Sequence, residues 1–556
     1  MRGLLTIVCV AVVSVGCSNR SEQADVAQTQ VAPAKPKLGI RPNGDTSIQP
    51  DLAHVSSDEL KKVYAYIDEH IDEHVENLQK WIRQPSISNS GEGIPESAEM
   101  VKGFFEELGC REARVYDVGI TEWGASGNPV VYARCDEGAP RTLVVYWMYD
   151  TMPVTQPDNW IAPPFEARIV EQAPFKKVLI GRGASNTKGP HMQQLNAFRS
   201  IRAVAGKLPV NLIFVAEGDE ERMSVGLRKF VVDHPDLFKG ADAMLALGNQ
   251  SQNGGAGIMG GSEGCVYIEL TTSGKSWGRG PVQSDIHGFY KRSVDSPAWR
   301  HILMLASLLS PDGNTPLIAG FADGVEPLPE PDAARIREAA KAMDVSVAAK
   351  NVGVARFIAE DPFTILKMQM YGLSFNLDGI WGGNMYAGGA GAILPNKITS
   401  KHNMRYVPEM DGLDLVKKVR AQLDKNGYKD VELKVIGDVP WSKMAYDTDI
   451  ARAITQTYDA FGIPYAPPAT NQTILGGYWP AYLFSNGPVG QKLVPVLMPI
   501  GGGGAGHGGN AHAADEYWVI EGAGKVYGMA GGEKSIATIL YNFAGKNGAP
   551  AKKPTN

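Results

Sequence analysis

The sequence predicts an α/β fold in which a mostly parallel sheet is interrupted by a smaller α+β unit of four strands. Two observations predict it. Between residues 113 and 216 apolar strand-like runs alternate with helical stretches, the pattern of a parallel sheet. Near residue 264 the pattern changes to half-buried strands with two long helices, and near 446 the first pattern resumes. A chain of 556 residues is also too long for one core, so two or three domains are expected.

The first 17 residues read as a targeting segment. Arg2 precedes an apolar stretch, Leu4 to Val15, too short to span a bilayer and fitting a signal-peptide core. Ser14-Val15-Gly16-Cys17 resembles a bacterial lipoprotein signal, with Cys17 as the lipidated residue that anchors the chain to a membrane. A plain signal peptide cut nearby is the alternative. Ser18 after the Cys implies, by the same resemblance, an outer-membrane lipoprotein facing the periplasm of a Gram-negative cell. Residues 18–55 are rich in Ser, Gln, Ala, Pro and Asp and read as a disordered tether.

The larger domain is expected over 56–263 and 441–545. Ser56-Ser57-Asp58-Glu59 marks a helix start, followed at helical spacing by Leu60, Val63, Tyr64 and Ile67. A second helix carries Val101, Phe104, Phe105 and Leu108 and stops at Gly109. Strands follow at 113–117, 129–135 and 141–148, a helix near 189–205, and a strand at 209–216. The α+β unit is expected over 264–440. Its strands lie at 265–272, 373–380, 396–407 and 431–436, its helices near 296–310 and 412–425. Residues 311–371 form a long insert within it. A last helix is expected near 533–544 and a frayed tail over 546–556.

Composition narrows the function classes. The chain is 44% hydrophobic and 21% charged, with a net charge of −6 and no basic run, so no nucleic-acid partner is expected. Cys110, Cys135 and Cys265 are far apart and lack metal-ligand spacing. They read as small buried hydrophobes.

Six segments carry chemistry. RTLVVYWMYD, residues 141–150, is a buried apolar strand ending in Asp150, where α/β proteins place their sites. GRGASNTKGP spans 181–190. EGDEERMS, 217–224, sets two adjacent acids, Glu220 and Glu221, after a strand. MLALGNQ contains Asn249, and GGNAHAADE, 508–516, contains His512. Ser284-Asp285-Ile286-His287, with the run from Leu394-Pro395 to Arg405, lies in the α+β unit.

In this order, over roughly 58–545, the six segments resemble the di-zinc metallopeptidase family of aminoacylases, carnosinases, carboxypeptidases and the acetylornithine and succinyl-diaminopimelate deacylases. The resemblance implies a catalytic sheet interrupted by a four-stranded lid that also dimerises. It casts Glu220 as the general base, Glu221 and His512 as zinc ligands, and Asp150 as a residue orienting ligands from behind. His287 would reach across a homodimer to the oxyanion, and Arg405 would bind the substrate carboxylate.

The departures lie at the metals. Met148 stands at the family's first histidine, with Trp147 at the neighbouring glycine. Asn186 stands at the bridging aspartate, and Asn249 or its neighbour Gly248, neither of them an acid, at another aspartate. Ala392 and Tyr478 replace a threonine and a serine near the substrate. Thioether and amides hold zinc poorly, so the expectation is at most one weakly held zinc ion on Glu221 and His512, or none.

The function expected is hydrolysis of a peptide or N-acyl amide bond next to a free carboxylate, in a small peptide or N-acyl amino acid. Tyr478 is either a donor to the oxyanion or an aromatic wall. Two other readings stand beside hydrolysis. One is a binding lipoprotein that captures such ligands without turnover. The other is an acid–base isomerase using Glu220.

Overall fold

Thr142–Met148 is buried along its whole length because strands flank it on both edges and side-chain layers cover both faces. It runs parallel to Asn211–Glu217 in a register that sets Met148 against Glu217. Ala243–Ala246 and Ile500–Gly502 extend the sheet on one side, both parallel. Val130–Cys135 and Glu112–Tyr116 extend it on the other, both antiparallel. Three of the five pairings in this sheet are therefore parallel. The structure, a computed structural model, describes residues 50, 53, 55–258, 261–386, 388, 390–444, 447–465, 477–485, 490–494 and 497–547. Cys17, the signal segment and nearly all of the expected tether lie outside the described residues.

Helices Asp58–Ile82, Gly189–Ala205 and Met529–Phe543 pack together on this sheet. The first begins where its sequence says it should. The Ser57 hydroxyl accepts the Leu60 N–H, and Leu60, Val63, Tyr64, Ile67, Ile71 and Leu78 are buried at helical spacing. Each such side chain contributes about 1.5–3 kcal/mol on burial.

A second, four-stranded antiparallel sheet has no counterpart in the expected elements. It joins Arg168–Gln172, Phe175–Ile180, Tyr517–Glu521 and Gly508–Gly509. Its strands are two to six residues long, too short for alternation to mark them out. Its consequence is local. Ile180 pairs with Tyr517, which lays the 181–188 loop against the 510–516 loop.

The lid sheet runs Ser374–Trp381, Lys397–Tyr406, Gly264–Ser273, Glu432–Val439, all antiparallel. Val266, Ile268, Leu270 and Met404 point to one face, into a core with Leu415 and Val419 of helix Gly412–Lys425 and Met304 of helix Pro297–Ala306. Tyr267, Glu269, Asn403 and Arg405 point to the other face and line a cavity. The insert folds as three helices, Glu330–Lys341, Val345–Asn351 and Pro362–Tyr371. The chain enters and leaves the lid through one short ladder, Gly261–Ser262 against Ser442–Lys443, where the two serine hydroxyls lie 3.0 Å apart.

One expectation is corrected. Cys110 and Cys135 form a disulfide, and only Cys265 is a free buried cysteine among the described residues. The strand register explains the pair. Glu112 sits opposite Arg134, so two residues earlier Cys110 comes beside Cys135. Closing a loop of 25 residues restricts the unfolded chain and contributes about 3 kcal/mol.

Candidate functional site

Two turns build the floor of the site. Strand Thr142–Met148 delivers Asp150, fully buried, whose two oxygens accept the backbone N–H groups of Glu220 at 3.2 Å and Glu221 at 3.1 Å. Asp150 thus fixes the direction of both acids. Glu217 accepts the Tyr146 hydroxyl at 2.6 Å and the Ser224 hydroxyl at 2.9 Å. Asp219 is tied to Arg222 at 2.9 Å.

Acids crowd here in a poorly hydrated place, and the electrostatics follow. Burial first, then Glu221 and Asp219, push the Asp150 carboxyl up to about 8. Burial, then Glu221, Asp150 and Glu217, push Glu220 well above the usual carboxylate range, with Arg405 acting in the opposite direction. Burial also raises Tyr478 well above its ordinary value, followed by the charge of Glu220. Its phenol therefore keeps its proton at neutral pH.

The second turn is 181–188. Its anchor is Glu516, fully buried at the end of the 510–516 loop. Glu516 accepts from Arg182 Nη1 at 2.8 Å and from the backbone N–H groups of Gly183, Ser185 and Asn186 at 2.9, 2.9 and 2.7 Å. Gly183 has φ +87°, and a Cβ there would stand 2.7 Å from Thr151 Cγ2, so glycine is required. Lys188, also fully buried, donates to the carbonyls of Trp81 and Gln84 at 3.2 and 2.6 Å, and burial lowers it to about 7. The sequence assigns no role to Glu516 or Lys188, although both lie inside the quoted segments.

Where the turns meet, Asn186 Nδ2 donates to Glu221 Oε1 at 2.7 Å and lies 3.0 Å from His512 Nε2. His512 Nε2 is 3.1 Å from the same Glu221 oxygen. The hydrogen bond to Glu221 raises the His512 pKa above its ordinary value.

A cavity of about 790 Å³ opens from this floor to the lid, and its walls include Glu221, His512, Tyr267, Arg405 and Tyr478. Arg405 stacks over the Tyr478 ring at 4.7 Å and pairs with Glu263 at 2.9 Å, while its Nε–H reaches Asn403 Oδ1 at 3.3 Å. Tyr478 is half-buried at this wall.

The remaining expected residues lie elsewhere. Met148 is buried, and its backbone N–H donates to His191 Nε2 at 3.1 Å. Asn249 lines a separate pocket with Ser251, Pro464 and Tyr465, and its buried Oδ1 has no hydrogen-bond partner. His287 is exposed on the Ile286–His287 ladder with Ile393–Leu394, outside the walls of this chain's own cavity. Its Nδ1 accepts the Phe289 N–H at 3.1 Å.

These donors do not fit two zinc ions. Glu221 and His512 are two strong ligands where a catalytic zinc has three, and the group between them presents an amide N–H. No group of three or more His, Cys, Asp or Glu side chains among the described residues is placed to hold a metal.

The profile of peptidase family M20/M25/M40 matches residues 148–526. The chain is 27% identical over 481 residues to a Cys-Gly metallodipeptidase, DUG1, of Candida albicans, across 82% of this chain and 93% of the relative. It is 27% identical over 425 residues to the Beta-Ala-His dipeptidase of Homo sapiens, across 72% of this chain and 80% of that protein. Among solved structures, an M20 family metallo-carboxypeptidase from Sulfolobus solfataricus superposes with a TM-score of 0.69 at 25% identity, over 85% of this chain and 99% of that one. The fold, the order of the segments and a match across most of the sequence agree: the chain belongs to peptidase family M20/M25/M40, a family of peptidase and amidohydrolase enzymes.

Proposed function

We propose that this chain hydrolyses the peptide or N-acyl amide bond next to a free carboxylate, in a dipeptide or an N-acyl amino acid, without a dinuclear zinc centre. The observation that carries the reading is one cavity lined by Glu221 at its floor and by Arg405 and Tyr478 at its lid wall, with Glu220 beside Glu221 and near enough to Arg405 to feel its charge. Relatives that act on the dipeptides Cys-Gly and Beta-Ala-His support a ligand of that size.

Glu220 in its carboxylate form takes a proton from the attacking water and returns it to the amide nitrogen, which leaves as the amine when the C–N bond breaks. Arg405 spends one N–H on Glu263 and its Nε–H on Asn403, leaving the Nη2 edge for the substrate carboxylate. Tyr478, kept protonated, donates to the oxygen of the attacked carbonyl. The test is a panel of dipeptides and N-acetyl amino acids beside their C-terminal amides. Acids are expected to be cleaved and amides not, and Arg405→Ala should raise KM for the acids by roughly 10–100-fold, in line with a lost charged hydrogen bond of about 1.5–3 kcal/mol. Saturable binding of the acids with no turnover would instead establish a ligand-capturing protein.

A second copy is part of the same reading. Trp299, Ile302 and Leu303 expose one apolar stripe of helix Pro297–Ala306, and Leu377, Ile380 and Trp381 expose the edge strand of the lid sheet. We propose that these surfaces pair two chains and that His287 serves the partner's cavity. His287→Ala should then lower kcat while leaving the mass in light scattering dimeric. A monomer at micromolar concentration would refute the pairing.

A further inference from the structure

We infer that Asn186 closes the metal position from within, so that this chain excludes zinc at the point where its family binds it, and that one side chain separates it from a zinc-binding protein. The inference concerns the site of the proposed hydrolysis and rests on that reading only for its location.

Glu221 Oε1 accepts an Asn186 N–H at 2.7 Å. His512 Nε2 has two possible states. As a bare nitrogen it accepts the second Asn186 N–H at 3.0 Å; as N–H it donates to Glu221 at 3.1 Å. In both states a hydrogen already occupies Glu221 Oε1, and the imidazole Nε2 has no lone pair free for a cation. The amide nitrogen itself has none to offer. Rotating the amide to present its oxygen would set a carbonyl against the Glu221 carboxylate and lose the N–H contacts.

The surroundings hold this arrangement without help from an ion. Glu516 fixes the Asn186 backbone N–H at 2.7 Å, with Arg182 neutralising it from behind. Asp150 fixes the Glu221 backbone N–H at 3.1 Å. At the position where the resemblance sets a further ligand, the sequence carries Met148, whose thioether is buried. The polarised amide group thus supplies, by hydrogen bonds, the positive partner that a metal ion would supply by charge.

The substitution Asn186→Asp removes both N–H donors and adds a carboxylate beside Glu221 and His512. Three strong ligands then converge, the donor count of a catalytic zinc site.

The full chain, stripped with a chelator and equilibrated with micromolar zinc, should retain almost no metal by mass spectrometry, and its melting temperature should not move. N186D should take up about one zinc per chain and lose it in the N186D/H512A double variant. N186D should also melt lower than wild type in chelator, because two carboxylates then face each other, and recover several degrees with zinc. If N186D does not fold, N186C with cobalt(II) gives an independent reading, a thiolate-to-cobalt charge-transfer band that disappears with H512A. One zinc bound by wild type and lost on His512→Ala would overturn the inference. So would a folded N186D or N186C that takes up no metal. Either result leaves the hydrolase reading to its own test, cleavage of dipeptides.

Discussion

Glu220→Gln is expected to lower kcat/KM by about 10²–10⁴-fold on any substrate found, with KM little changed. Glutamine keeps the size and the backbone contact to Asp150 but cannot take a proton from water. The pH dependence carries the same assignment further. In the proposed mechanism Glu220 works as a carboxylate, and burial together with Glu221, Asp150 and Glu217 holds its pKa well above the usual range. A raised pKa means the working form is populated only above that value. Activity should therefore be lost as pH falls through the raised pKa and should reach its plateau on the alkaline side. Arg405 acts against the shift, so Arg405→Gln should move the acid limb to still higher pH. An acid limb at the ordinary glutamate value of about 4.3 in wild type would remove Glu220 from the role.

The largest expected loss of stability is at Glu516. Its carboxylate receives four donors, one of them from Arg182, whose side chain is 2% exposed. Glu516→Ala leaves a buried guanidinium and three backbone N–H groups without their acceptor. Breaking one side of a buried pair costs about 3–5 kcal/mol. The cost falls on the 181–188 turn, so Asn186 and Glu221 should lose their contact as well. Urea unfolding followed by tryptophan fluorescence reads the loss, because Trp518 lies in the strand that follows Glu516. A midpoint equal to wild type would show that the turn does not depend on this carboxylate.

The parts legible in the sequence are those with a strong local signature. The run TLVVYWM has no charged residue and only a threonine at its start, so a buried strand is the natural reading, and Asp150 at its end follows. The alternation in residues 264–273 marks the lid strand together with its polar cavity face. The second antiparallel sheet is not legible, because the pairing that closes it joins segments more than 300 residues apart and each strand is only two to six residues long. The Cys110–Cys135 bond depends on register, which composition does not carry. Asn186 can be judged a poor ligand from its chemistry alone. Its role as a hydrogen-bond donor to Glu221 needs the position of a side chain 35 residues away. The pairing of Arg405 with Glu263 is equally out of reach, being a contact across 142 residues.

The single ladder through which the chain passes into and out of the lid bears on the order of assembly. All four lid strands lie between residues 264 and 439, so that sheet can close from one contiguous stretch. The six-stranded sheet cannot. Its edge strand Ile500–Gly502 and the covering helix Met529–Phe543 arrive only after the lid has been made. Until then Ala243–Ala246 has an open edge, and a growing chain must keep that edge from pairing with a neighbour. The lid is therefore the part able to mature first, and the floor of the cavity, which needs His512 and Glu516, is the last to be assembled.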